Sequence, residues 1–267
     1  MILAVDIGNT NIVVGGIDNK RVLFVERLST IRTKTELEYA IDLKNIMDLH
    51  DICPNIIEGG IISSVVPQIT KAVELAAEMI IHCQIMVIGK GINPCIEIQI
   101  DNPSQLGSDL IADAVAGLNE YHLPLVIFDM GTANTVCVVD DKGVYRGGMI
   151  YPGIGISLES LTSHASQLGG IGLGNPKQII GKNTADCMES GIIYSSASAI
   201  DGIIDRIKDE FGSNLTVVAT GGMAKKIIPY CRRHIMIDEN LLLKGLEIIY
   251  MRNRPERKDD MKLLCCK

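Results

Sequence analysis

None of the eight cysteines forms a Cys-x-x-Cys pair, and the five histidines stand at no ligand spacing from them. A structural zinc centre needs such clusters, so none is expected. Cys53, Cys83, Cys95, Cys137, Cys187 and Cys231 mostly fall inside apolar stretches. They are expected as buried free thiols of a reducing compartment. Cys265 and Cys266 are adjacent near the end of the chain, where oxidation on storage is feasible. A continuous apolar run of about 18 residues, the requirement for a membrane-spanning helix, is also missing. The opening Met1-Ile2-Leu3-Ala4-Val5 is cut short by Asp6, too early for the apolar stretch of a secretory leader. A cytoplasmic protein without membrane contact is therefore expected. Basic charge is in deficit as well: 25 Lys and Arg against 32 Asp and Glu leave a net charge of −7. That excludes a broad basic surface for a nucleic-acid backbone. It does not exclude a small phosphate ligand, which a few local donors can hold.

The chain has 267 residues, 47% of them hydrophobic, enough for two domains with real cores. Apolar runs at Ile2–Val5, Asn11–Ile17 and Arg21–Leu28 read as strands, with Asp18-Asn19-Lys20 as a hairpin turn. Thr35 opens a helix to Leu49, with Leu37, Ile41, Ile46, Met47 and Leu49 as its apolar positions. A strand from Gly60 to Val66, a helix from Pro67 to about His82, a strand at Ile85–Ile88 and an alanine-rich helix from Ser108 to Tyr121 follow. The pattern then restarts. Leu125–Phe128 runs into Asp129 as Ile2–Val5 runs into Asp6, 123 positions earlier. Strands at Thr135–Val139 and Val144–Gly148 flank the turn Asp140-Asp141-Lys142-Gly143. Helices at Ile156–Leu168 and Thr184–Phe211, a strand at Leu215–Ala219 with a helix after it, a strand at Ile235–Ile237 and a helix at Asn240–Tyr250 complete the chain. Alternating strands and helices argue an α/β protein. The repeat argues two duplicated domains, 1–120 and 121–255, with a cleft between them where a ligand binds, and a charged tail at 256–267.

The two repeated loops carry the chemistry. In Asp6-Ile7-Gly8-Asn9-Thr10-Asn11, Gly8 lets the backbone approach a phosphate, and N–H groups in such a turn can face an anion. Asn9, Thr10 and Asn11 add neutral donors. Asp6 repels a phosphate directly, so its natural role is to hold a hydrated Mg²⁺ that bridges to it. One such loop also reads as a plain hairpin with a polar tip. Its counterpart, Asp129-Met130-Gly131-Thr132-Ala133-Asn134-Thr135, has the same design. Thr220-Gly221-Gly222 follows a late buried strand, where two glycines let the backbone lie against an adenosine. This trio, in this order, resembles the superfamily of acetate and sugar kinases, Hsc70 and actin.

Further segments narrow the resemblance. Asn102-Pro103-Ser104-Gln105-Leu106-Gly107-Ser108-Asp109 is similar to the substrate loop of type III pantothenate kinases. Gly147-Gly148-Met149-Ile150-Tyr151-Pro152-Gly153 is similar to their glycine-rich segment, and Gly181-Lys182-Asn183-Thr184 with Glu189-Ser190-Gly191 to their helix start. These motifs run in the family's order over residues 1 to about 250. The resemblance implies phosphorylation of pantothenate by ATP, the first step towards coenzyme A, in a homodimer whose substrate pocket is completed at the subunit interface. It implies Asp109 as general base, Asp6 as the metal and phosphate carboxylate, and Asp129 as ligand of a monovalent cation, K⁺ or NH4⁺. Gly131 and Thr132 are then ATP contacts, and Gly107, Ser108 and Thr184 substrate contacts. Independently of the family, an ionised carboxylate in reach of a hydroxyl is the group that phosphoryl transfer to an alcohol needs; Asp109 also reads as an acid favoured at a helix N-terminus.

Three positions depart from the family pattern. Leu110 stands where an arginine follows the catalytic aspartate, and leucine cannot bind a carboxylate. Ile100 replaces a tyrosine, and Leu168-Gly169 replaces a Leu-Pro pair. Three readings remain open on sequence: a pantothenate kinase with a weaker anchor, a paralogue that phosphorylates a less polar alcohol, and a non-catalytic ATP-binding regulatory protein.

Overall fold

In the computed structural model, residues 1–164, 171–212 and 214–255 are described. Leu168-Gly169, the expected helix beyond residue 164, and the tail at 256–267 with Cys265 and Cys266 lie outside them. The chain forms two compact units. One holds Met1–Cys95 with the chain from Leu243, and the other holds Ile96–Leu242.

In the first unit, β1 (Ile2–Ile7), β2 (Asn11–Asp18) and β3 (Arg21–Ser29) form an antiparallel meander. The two-residue turn Asn19-Lys20 has positive φ at both positions, the geometry that matches strand twist. α1 (Glu36–Leu49) follows, then β4 (Gly60–Ser64), α2 (Pro67–Ile81) and β5 (Ile85–Val87). β4 pairs parallel with β1 and with β5, so the sheet order is β3-β2-β1-β4-β5. α1 is capped by Thr35, whose side chain and that of Glu38 bond each other's backbone N–H groups. Its buried face is Tyr39, Ala40, Leu43, Ile46 and Met47. The expected apolar positions Leu37, Ile41 and Leu49 are 62%, 51% and 78% exposed. Ile46 and Met47 are buried as expected, while in the first half of the helix Tyr39, Ala40 and Leu43 take the inner face, with the Tyr39 hydroxyl donating to the Ile31 carbonyl.

The second unit repeats this plan. β6 (Glu97–Ile98) and α3 (Ser108–Glu120) precede β7 (Leu125–Met130), β8 (Ala133–Val139) and β9 (Val144–Pro152). α4 (Ile154–His164), α5 (Thr184–Phe211), β10 (Thr216–Thr220), α6 (Ala224–Ile227) and β11 (Met236–Ile237) complete it. The sheet order β11-β10-β7-β8-β9-β6 contains the same five-strand arrangement plus the short edge strand β6. A register irregularity falls at the same place in both meanders, after Gly16 and after Val138.

The boundary expected at 120/121 moves to two places. α3 lies against β7 and β8, where a Cβ on Gly117 would come 2.4 Å from Leu125 Cδ2, so it belongs to the second unit. α7 (Leu241–Asn253) returns to the first. The buried Glu247 carboxylate accepts the Lys20 N–H at 2.9 Å there, and Gly59 leaves room for the Tyr250 hydroxyl, which a Cβ would approach to 2.2 Å. The cysteine reading is also corrected: all six described cysteines are free, but only Cys137 is buried, while Cys53 and Cys187 are exposed. Leu43→Ala should cost about 2–5 kcal/mol of stability, whereas Leu37→Ala should stay within about 0.5 kcal/mol; chemical unfolding of both variants checks the helix phase.

Candidate active site

The loop after β1 is pinned from behind and open in front. The Gly8 N–H donates to the Asn11 carbonyl at 3.0 Å. Thr30 grips the tip twice, its hydroxyl donating to Gly8 O at 2.7 Å and its N–H to Thr10 O at 2.9 Å. Arg32 donates to the Asn9 side chain. Asn9, Thr10 and Asn11 remain exposed. Asp6, the penultimate residue of β1, is partly exposed and accepts a hydrogen bond from Ser63 Oγ at 2.8 Å.

The loop after β7 is tighter by one residue. Its closing bond runs from Gly131 N to Ala133 O, against Gly8 to Asn11 in the first unit. The 123-residue offset of the strand before it therefore falls to 122 in the strand after it, and Asp129 lies opposite Thr135 where Asp6 lies opposite Val13. Two glycines press on this loop. A Cβ on Gly153 would stand 2.4 Å from both the Gly131 and Thr132 carbonyls. Gly221, at φ +87°, would bring one within 2.4 Å of Asp129 Oδ1 and 2.6 Å of Met130 N. No side chain fits there, and the left-handed backbone favours glycine as well. Gly222 is exposed and nothing lies within 4 Å of where its Cβ would be, so packing does not demand glycine at that position.

α3 delivers Asp109 to the same place. Gly107 caps the helix without a side-chain bond, and Asp109 sits in the first turn with Oδ1 accepting the Leu110 N–H at 2.9 Å. Burial raises its pKa above the usual carboxylate range. Burial first, and then the charge of Asp109, push Asp129 up to about 6. The structure thus brings Asp109, Asp129, Thr132 and Gly221 into one neighbourhood of the second unit. Thr184 is exposed at the first turn of α5, and Asn183 rather than Thr184 is the N-cap, accepting the Asp186 N–H at 2.9 Å. No hydrogen bond ties Thr184 to Asp109 among the described residues. A groove of about 450 Å³ runs along α5, lined by Ile179, Ile180, Tyr194 and Ser198 among others, and contains none of these acids.

Sequence reasoning missed several neighbours. Ser63 is fully buried beside Asp6, and a polar residue inside an apolar strand was the available signal. Asp113 is 1% exposed on the sheet-facing side of α3, one turn after Asp109. Together with Asp129 it helps raise the pKa of the buried Cys137 thiol, after burial itself. Among the described residues no group of three or more His, Cys, Asp or Glu side chains is arranged to hold a metal ion. A cation at Asp6 or at Asp129 would meet a carboxylate oxygen. Hard oxygen donors of this kind fit Mg²⁺ or a monovalent cation and exclude a zinc-type site.

The duplicated sheets define the class: an actin-like ATPase and sugar-kinase fold. Its solved relatives include the activator of 2-hydroxyisocaproyl-CoA dehydratase from Clostridium difficile with bound ADPNP, at TM-score 0.54 and 13% identity over 98% of this chain and 97% of that one. The ROK hexokinase from Thermus thermophilus matches at TM-score 0.52 and 14% identity over 94% and 98%. Residues 2–206 match the type III pantothenate kinase family. A type III pantothenate kinase from Exiguobacterium sp. is 42% identical over 95% of this chain and its own entire length. The chain belongs to the type III pantothenate kinase family.

The raised pKa of Asp129 has a definite sign. Its protonated form favours the fold, a contribution fully present below about pH 4 and lost as pH rises through about 6. Asp129→Asn should therefore melt about 2–4 °C higher than wild type at pH 8, with the difference vanishing towards pH 4, in thermal scans run without K⁺ or NH4⁺.

Proposed function

We propose that the protein transfers the γ-phosphoryl group of ATP to the primary hydroxyl of pantothenate, the first step towards coenzyme A. The observation that carries this reading is Asp109, a carboxylate with a raised pKa at the start of α3, beside the Asp129 loop of a kinase-family chain. As the hydroxyl oxygen attacks the γ-phosphorus, its proton passes to Asp109 and the bond to ADP breaks. A raised pKa makes Asp109 a better acceptor. Asp6 would hold Mg²⁺, which when bound neutralises charge on the β- and γ-phosphates. Asp129 would hold K⁺ or NH4⁺.

The exposed Asn9, Thr10, Asn11 and Thr132, with the half-buried Gly8 and Gly131 beside them, support phosphate roles for these six residues. The open face of Gly222 beside Gly221 supports an adenosine site. Gly107, Ser108 and Thr184 are the polar candidates for pantothenate. With Leu110 and Ile100 apolar, its carboxylate relies on Thr184 and backbone N–H groups. A cytoplasmic homodimer completes the reading; no described helix is long and apolar enough to cross a membrane, and the groove along α5 offers Tyr194 and Ser198 for a subunit contact. The paralogue and the non-catalytic ATP binder are disfavoured by the near full-length match to type III pantothenate kinases.

Purified protein given ATP, Mg²⁺, K⁺ and pantothenate should yield phosphopantothenate by mass. Asp109→Asn should lower turnover at least about 100-fold and keep ATP affinity; absence of product from an ATP-binding wild type would overturn the reading. Leu110→Arg should tighten pantothenate binding about ten- to a hundredfold by adding a charged hydrogen bond, as titration calorimetry would show.

A further inference from the structure

Asp6 and Asp129 end equivalent strands, but their surroundings differ. On the parallel ladder between β1 and β4, Asp6 lies opposite Ser63. On the ladder between β7 and β10, Asp129 lies opposite Thr220. The duplication therefore sets a hydroxyl amino acid across from each carboxylate. In the first unit the hydroxyl is used: Ser63 Oγ donates to Asp6 Oδ1 at 2.8 Å. In the second, no hydrogen bond joins Thr220 to Asp129 among the described residues.

Ser63 is 0% exposed, so its hydroxyl is shielded from water where it donates to the carboxylate. Such a charge-assisted bond is about twice as strong as a neutral one. It limits rotation of a carboxylate that is otherwise partly exposed. The hydroxyl of the next residue, Ser64, bonds that of Thr70 and accepts from the Val66 N–H. We propose that Ser63 is the positioning residue for Asp6, holding the carboxylate in one orientation so that the divalent cation of the nucleotide meets a preset ligand. The inference rests on the role given to Asp6 above and assigns Ser63 no contact with substrate. Asp129, which has no such donor among the described residues, is left to be oriented by whatever cation it binds. The two carboxylates are thus alike in sequence and different in preorganisation.

Mn²⁺ affinity in the presence of a non-hydrolysable ATP analogue, followed by electron paramagnetic resonance of free Mn²⁺, reads the effect without pantothenate turnover. Ser63→Ala should weaken Mn²⁺ about tenfold and raise the half-saturating Mg²⁺ in turnover by a similar factor, with the pantothenate KM unchanged. Ser63→Thr, which keeps a hydroxyl on the same carbon, should retain both. If the alanine variant does not fold, Ser63→Cys, with similar volume and a weak donor, should show the same loss. Unchanged Mn²⁺ affinity in a folded alanine or cysteine variant, whether or not its melting temperature falls, would overturn the proposal and leave Ser63 a packing residue. A wild type that binds Mn²⁺ and nucleotide but leaves pantothenate untouched would sink the proposed substrate and not this inference.

Discussion

Each half of the molecule depends on one parallel ladder, β1 with β4 and β7 with β10. Parallel pairing requires a crossover, so the two strands end at the same edge of the sheet, and ligands in α/β folds collect at the carboxyl ends of such strands. The carboxylate that ends the first strand is therefore placed beside whatever follows the second. At the end of β4 that is Ser63, opposite Asp6; after β10 it is Gly221 at φ +87° against Asp129. α3 is brought to the same edge by small residues. Ala112, Ala116 and Gly117 let it lie close on β7 and β8, which carries Asp109 at its first turn to the Asp129 loop.

That arrangement concentrates negative charge where there is little water. Asp109 and Asp129 both lie above the usual carboxylate range, with burial the larger cause in each. Two acids so placed favour a shared proton or a cation over two free charges. In the proposed function, Asp109 would be a base of enhanced proton affinity and the Asp129 loop the place for a counter-ion. The first unit handles its acid differently, through a fixed neutral donor, Ser63.

Much of the architecture was legible because periodicity and turn chemistry are local. The restart at Asp129, the hairpin turns, the Thr35 cap and the long helix from Thr184 to Phe211 all followed from neighbours in the chain. The phase of α1 did not, because Leu37 and Tyr39 both fit an apolar face and only the sheet beneath chose between them. The domain boundary failed for a related reason. Helices α3 and α7 are amphipathic in isolation, and which unit each one joins depends on Gly117 and Gly59, whose missing side chains make room for Leu125 and Tyr250.

By itself, the sequence determined the repeated carboxylate–glycine–threonine loops, the identity of Asp6, Asp109 and Asp129, and the family, since these are properties of residue type and order. Tertiary structure alone decided that Asp109 lies within electrostatic reach of Asp129, that Ser63 bonds Asp6, that the second loop is one residue tighter, and that Gly221 admits no side chain. Each of these is a contact between residues tens of positions apart or a backbone geometry. Such relations depend on strand register and close packing, and no local pattern encodes them.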